Sequence, residues 1–443
     1  MVVENEKPLT TEEATFGRAG AFISPFGLLT ALVIATCYYY VEHTWNQSQV
    51  THTIAESYTS GDENFAADRI SVVNVLTTIA RITLALWGCL CFLLAYKTRV
   101  NSSSLLLWSM AAVATFLTAS VLWSEKPTQT IFKLTVLGVM AISAAGIGMK
   151  FRLREVLTIV TYVSISFIII GVLAEISQGY FRPGRDYRFI GTTHPNIEAI
   201  FASLICLISR MFLSKLGRGN LIGITLLAFG MLVVWHTKSR TTLAGLLFSL
   251  MVTQMLVIRG PNRVLLIAAF ITLVSLGMAA STMFSQSSSG DFGKLASMGR
   301  EDDVSSLSGR IPLWEELLNS ANKKPLLGYG YLAFWNSEKI EYLSETFRWE
   351  ISQGHNLYLD VLLDGGIVGL FLIGMAILLA FVESAKLYLA KNEIEYAIVF
   401  GLLAYAAING LAESIFKLPG FALFVVITCC FSMLKEQYQP RQR

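Results

Sequence analysis

Two arginines and a histidine carry the chemistry that this sequence offers. Arg240 stands between two apolar runs with almost no loop around it, in HTKSRTTLAG. Arg310 precedes Pro312 in SGRIPLWEE, and His355 opens GHNLYLDVLLDGGIVG, residues 354–369. A guanidinium is a planar fork that grips phosphate oxygens two at a time. At an effective dielectric of about 20, one Arg–phosphate contact at about 4 Å is worth roughly 4 kcal/mol in gross Coulomb terms, before desolvation. Two such contacts would hold a diphosphate and stabilise it as a leaving group. A neutral imidazole accepts a hydroxyl proton. Arginines nearby would keep His355 in that neutral form. The chemistry suggested is transfer of a group from a diphosphate to a hydroxyl. The plainer readings are an interfacial histidine at the end of an apolar helix and an arginine paired with a nearby acid such as Asp303.

Further positions would support such a site. Asn356 is placed to orient a substrate or the imidazole ring. In RFIGTTHPN (188–196), Arg188 is a cation against the expected charge bias, and His194 is a second candidate histidine. Thr192 or Thr193 would cap a helix beginning at Pro195. Glu198 and Glu413 are carboxylates inside or at the end of apolar runs, where charge is costly; Arg81 is a cation in the same predicament. Arg310 is expected at a helix N-terminus, with Ser308 as cap, where the backbone favours anions. Leu313, Trp314, Leu317 and Leu318 would form that helix's apolar face. No metal site is expected. The five histidines show no HExxH spacing, no Asp-x-Asp occurs, and Glu301-Asp302-Asp303 reads as a solvated loop. No cofactor and no nucleic-acid partner is indicated.

The elements that must position these residues lie in a membrane. Of 443 residues, 54% are hydrophobic and 15% charged, against about 25% charged in soluble domains. Apolar windows predict an all-α polytopic protein with about twelve spans of about 20 residues each. They fall near 21–41, 75–96, 104–123, 130–148, 156–175, 196–214, 220–236, 241–258, 263–281, 365–384, 395–412 and 418–434. The organisation expected is a cytoplasmic tail (1–20), spans one to nine (21–281), a large outer loop with interfacial helices (282–364), spans ten to twelve (365–434) and a second cytoplasmic tail (435–443). With the N-terminus inside, every inner loop carries at least two cations, among them Lys97 and Arg99, Lys150, Arg152 and Arg154, and Lys386 and Lys391. That is the positive-inside pattern. It leaves Arg188, Arg240, Arg310 and His355 on the outer side. The six cysteines all lie in apolar runs and read as buried thiols. The DGG at 364–366 is expected to break a short interfacial helix from the next span, and Gly369 to let helices approach closely.

These residues resemble a known family. His355-Asn356, nine residues, then Gly366 and Gly369 are similar to the signature H-[NSQ]-x9-G-x-x-[GTY] of bacterial O-antigen ligases. LWSEKP (122–127), RFIGTTHPN, KSRTTLAG (238–245) and SGRIPLWEE…PLLGYG (308–330) resemble other blocks of that family in the same order. The likeness spans roughly residues 105–415. It implies a metal-independent, C-type glycosyltransferase of twelve membrane helices in the bacterial inner membrane, with both termini cytoplasmic and the site periplasmic. The donor would be a glycan on undecaprenyl diphosphate and the acceptor lipid A–core. Arg240 and Arg310 correspond to the family's essential arginines and His355 to its histidine. The superfamily also holds O-antigen and exopolysaccharide polymerases, which pass the glycan to a second lipid-linked unit. A non-enzymatic flippase of lipid-linked sugars is the reading from another class. Its transport site would sit near mid-membrane.

Overall fold

The computed structural model describes residues 23–45, 63–184, 187–213, 218–258 and 305–437, with positions 260 and 262. Among them there are thirteen α-helices and no strand. In order they are α1 (Pro25–Trp45), α2 (Glu63–Leu94), α3 (Leu105–Ala119), α4 (Pro127–Lys150), α5 (Leu153–Ser177), α6 (Pro195–Ser209) and α7 (Arg218–Thr237). Then come α8 (Arg240–Val257), α9 (Ser305–Lys323), α10 (Ser337–Phe347), α11 (Leu357–Lys391), α12 (Ile394–Asn409) and α13 (Phe421–Glu436). Eight helices are long and apolar enough to cross a membrane, and α6 and α12 are shorter apolar helices. A helix lies over every expected span that falls within the described residues. The expected ninth span, 263–281, the Ser-rich stretch after it, Asp303 and both tails lie outside them.

The pattern of exposure is that of a protein turned toward lipid. Leu86, Leu93, Leu105, Phe132, Leu221 and Phe371 are large apolar side chains with more than half their surface exposed. In water such a surface would drive association; in a bilayer it matches its solvent. Because lipid is as apolar as leucine, helices there associate through close packing of small residues. At the α2–α4 contact a Cβ on Gly146 would stand 2.0 Å from the Gly88 carbonyl oxygen, so only glycine lets these backbones meet. Aromatic rings join α5, α6 and α13: Phe167 stacks on Phe201 at 4.3 Å and Phe201 on Phe421 at 5.2 Å.

Helix direction sorts the chain into two ends. At one, α4, α5, α11, α12 and α13 are tied by charge. Glu436 accepts the Leu153 N–H at 2.8 Å, Lys391 donates to the Glu436 carbonyl at 2.8 Å, and Arg154 stands 3.7 Å from Glu395. At the other end lie the α5–α6 segment, the α7–α8 turn, α9 and α10.

The same far end contains a helix broken on purpose. Within α11, Gly366 has φ 60 and ψ −160, and the helix splits there. A break strands carbonyls before it and N–H groups after it. The loop 325–330, PLLGYG, satisfies both sets. Tyr329 and Gly330 donate N–H to the carbonyls of Leu363 and Asp364 at 2.7 and 3.0 Å. Ile367 and Val368 donate to Pro325 and Leu326 at 2.9 and 3.2 Å. The α3–α4 joint grips this loop from outside. Trp123 Nε1 donates to Leu327 O at 2.9 Å, Glu125 N to Tyr329 O at 3.1 Å, and Gln129 Nε2 to Leu332 O at 2.9 Å. Thus LWSEKP, PLLGYG and DGG form one clamp.

Two local expectations are corrected. Helix α9 begins at Ser305, so Arg310 sits in its second turn and not at its start, and Pro312 lies inside the helix. At that position proline lies beyond the first turn, so it removes an N–H donor to the carbonyl of residue 308 and crowds it. Leu313 and Leu317 are buried, but Leu318 is 43% exposed, so the apolar face continues instead through Ser320 and Ala321.

Candidate functional site

Glu413 is the hub of the far end. It follows α12 and is 3% exposed. Asn196 Nδ2 donates to its Oε1 at 2.7 Å, and Arg310 Nη2 stands 3.4 Å from the same oxygen. His355 Nδ1 is 3.7 Å from its Oε2, an ion-pair separation longer than a hydrogen bond. Arg310 is anchored separately by Nη1, which donates to Ala412 O at 2.7 Å. Burial works against a charge on Glu413, but His355, Arg310 and His194 outweigh it and hold its carboxyl below the ordinary glutamate range. Arg310 and His355, 45 residues apart in sequence, therefore meet at one carboxylate.

His355 is held in an unusual backbone state. Its φ of 48 is left-handed, which a histidine adopts only where the surroundings enforce it. The enforcing group is Asp360, which is fully buried. Its carboxylate accepts the Trp335 indole N–H at 2.8 Å, the Gly354 N–H at 3.1 Å and the Ser414 hydroxyl. Ser414 Oγ in turn accepts the Asn356 N–H at 3.1 Å. Trp314 Nε1 donates to Gly354 O at 2.9 Å. Lys417 Nζ bridges Asp360 and Asp364, lying 2.9 Å from Asp364 Oδ2. Both residues flanking His355 are thus tied down, Gly354 by Asp360 and Trp314 and Asn356 by Ser414, the neighbour of Glu413.

Asn356 is tied into the fold around His355. Its Oδ1 caps α11 by accepting the N–H groups of Tyr358 and Leu359 at 3.0 and 3.1 Å, and its Nδ2 donates to Leu411 O at 3.1 Å. The Oδ1 end is taken by the helix cap, and Nδ2 uses one of its two N–H groups. Helix α6 is capped by His194 itself, whose Nδ1 accepts the Asn196 N–H at 3.2 Å, and not by Thr192 or Thr193. Proline at the first helical position left the residue before it as the cap. The threonines instead face Glu198: Thr193 Oγ1 donates to it at 3.2 Å.

Arg188 lies over the α7–α8 turn, with Nε donating to Thr237 O at 3.0 Å. That turn ends at Arg240, the first residue of α8. Its neighbour Lys238 is 8% exposed and has φ 52. Arg240 shares the end of the bundle with Glu413, since Thr242, two residues on, accepts Asn409 Nδ2 at 3.4 Å, and Asn409 O accepts the Glu413 N–H at 3.0 Å. Beside His355, where the sequence suggested arginines, stands the carboxylate of Glu413.

Sequence reasoning missed Asp360, Asp364, Lys417 and Asn196. The signal for the first two was present: two carboxylates four residues apart in an apolar stretch need a partner. That the partner is Lys417, more than fifty residues later, was not readable.

The fold and this one-ended polar cluster define a polytopic membrane protein with a site at the mouth of its bundle. Residues 202–374 match the family model described as O-Antigen ligase. Over 115 residues the chain is 30% identical to the exopolysaccharide production protein ExoQ of Rhizobium meliloti (strain 1021). That stretch covers 25% of this chain and 26% of the relative, so the likeness spans about a quarter of each. The likeness to O-antigen ligases is thus carried by residues 202–374, and the likeness to the exopolysaccharide production protein by a shorter stretch. The matched stretch includes Arg240, Arg310 and His355 but ends before Glu413.

Proposed function

We propose that this protein is a membrane glycosyltransferase of the ligase/polymerase type, moving a glycan from undecaprenyl diphosphate to an acceptor hydroxyl at the periplasmic face of the inner membrane. The observation that carries the reading is the meeting of Arg310 and His355 at buried Glu413, on the end of the bundle that also bears Arg240 and Arg188. In this reading Arg310 and Arg240 bind the diphosphate and stabilise its charge as it leaves. His355 receives the proton of the acceptor hydroxyl. Because Nδ1 faces Glu413, Nε2 is the nitrogen turned toward the acceptor. In this reading the two arginines supply the positive charge at the diphosphate, and the transfer is metal-independent.

The acceptor divides two versions. Lipid A–core as acceptor makes the protein an O-antigen ligase, the reading that the complete His355–Gly369 signature favours. A second lipid-linked unit makes it a polymerase, which the likeness to an exopolysaccharide production protein favours. The test is reconstitution in liposomes with an undecaprenyl-diphosphate oligosaccharide, in EDTA, with each acceptor in turn. Glycan on lipid A–core identifies a ligase and chain growth on the carrier a polymerase. His355→Ala and Arg240→Ala should each lower the rate at least ~10²-fold. No product with either acceptor, alongside movement of lipid-linked sugar across the bilayer, would establish the flippase in its place.

A further inference from the structure

Glu413 is one buried carboxylate facing two groups that both need an anion. Its hold on the two is unequal. Asn196 fixes Oε1 at 2.7 Å without involving either. Arg310 reaches that oxygen at 3.4 Å, at the long end of hydrogen bonding, while its other nitrogen is secured on Ala412 O at 2.7 Å. A guanidinium anchored at one nitrogen can turn the rest of its fork to a better anion without leaving its place. His355 Nδ1 is 3.7 Å from Oε2 and makes no hydrogen bond, although it is buried. The imidazole is therefore beside its partner, at ion-pair distance, but not hydrogen-bonded to it. The other charged groups around the cluster are committed or more remote. Asp360 is taken by Trp335, Gly354 and Ser414, Lys417 by Asp364, and His194 Nδ1 caps α6.

We infer that Glu413 is a positioning residue that occupies Arg310 until the donor arrives and then engages His355, so that donor binding arms the histidine. The inference rests on the diphosphate-donor reading. When a diphosphate takes the Arg310 fork, Glu413 loses that guanidinium from its Oε1 side. Its remaining charge is then offered to Nδ1–H of His355, which fixes the tautomer with Nε2 free and stabilises the imidazolium formed later. In the transfer step, the acceptor oxygen forms a bond to the anomeric carbon. The bond from that carbon to the diphosphate oxygen breaks, and its electron pair leaves with the diphosphate. The hydroxyl proton passes to His355 Nε2 and thence to water. Without donor the histidine stays disengaged, and no charge is left unpaired in the buried site.

The prediction separates binding from turnover. Glu413→Gln removes Arg310's internal competitor, so its affinity for farnesyl diphosphate, a short polyprenyl-diphosphate probe, should equal or exceed that of wild type. Its transfer rate at saturating donor should fall ~10²-fold or more. In the double variant with Arg310→Ala, any gain in affinity should vanish, as a shared contact requires. Weaker probe binding in Glu413→Gln, in step with lost turnover, would show a structural residue and overturn the inference. So would unchanged turnover. A structure of the wild type with the probe bound is the second measurement, and it does not depend on the variant folding. It should show Arg310 on the diphosphate and Nδ1 within ~3.2 Å of Glu413; an intact Arg310–Glu413 pair would overturn the inference. If wild type binds the probe with these signatures but transfers no glycan, the glycosyltransferase reading fails while the exchange at Glu413 stands.

Discussion

At Glu413 and Asp360 two buried carboxylates do opposite things. Asp360 spends both oxygens on neutral donors and freezes the backbone around His355. Removing it as Asp360→Ala leaves the Trp335 and Gly354 N–H groups without acceptors and weakens the pairing of Lys417. A loss of about 3–5 kcal/mol in stability is expected for such a buried network, read as thermal unfolding in detergent. Asp360→Asn keeps the shape and should lose less. Glu413 keeps an ionised carboxyl below the ordinary range, which has a definite sign in pH. A depressed folded-state pKa stabilises the fold at pH above the unfolded value, about 4.3, and that stabilisation is lost as pH falls below it. The melting temperature of wild type should therefore drop more steeply below about pH 4.3 than that of Glu413→Gln, and equal slopes would refute the assignment. Arg310, His355 and Glu413 were each visible in the sequence as costly or reactive groups. Their meeting was not, because a side-chain contact across 103 residues leaves no local pattern.

The helices were the most legible elements, and for a physical reason: a bilayer demands about 20 apolar residues and permits little else. The break after DGG was legible too, since aspartate and paired glycines interrupt the run. What fills the break was not, because PLLGYG reads locally as an ordinary turn. Nor was the true start of α9, where proline at position 312 suggested a beginning and the chain carried its helix through. The break makes a paired prediction. At Gly366, φ is positive and an added Cβ would meet the Leu326 carbonyl at 2.3 Å. Gly366→Ala should cost about 1–3 kcal/mol, or more if the clamp opens. Gly374, in the same helix, has open space around it, and Gly374→Ala should be neutral or stabilising by about 0.5–1 kcal/mol. Thermal unfolding of the two variants side by side checks this.

Taken whole, the molecule has a polar site at one end and a belt of charged staples at the other. The proposed orientation puts the site end outside. Glu338 on α10 and Arg154 on α5 mark the two ends, with side chains 80% and 59% exposed. Five of the six native thiols are buried, and Cys89 is exposed on the apolar flank of α2, so background labelling should be low. In intact spheroplasts, Glu338→Cys should react with a membrane-impermeant maleimide, and Arg154→Cys only after permeabilisation. The reverse pattern would invert the assignment and remove the periplasmic reaction with it.

The clamp at the α11 break also sets an order of assembly. Trp123 bonds to Leu327 across 204 residues, and Tyr331 N–H to Ser120 across 211. A ribosome has long since threaded α3 and α4 into the membrane before either partner exists. Until residues 325–366 arrive, the α3–α4 joint has unused donors, and until Lys417 arrives Asp360 and Asp364 repel each other unrelieved. The early helices can settle against one another, but the mouth of the bundle closes only when the last fifth of the chain is made. A stalled or truncated chain then keeps its early helices but leaves the polar groups of the α3–α4 joint without their partners.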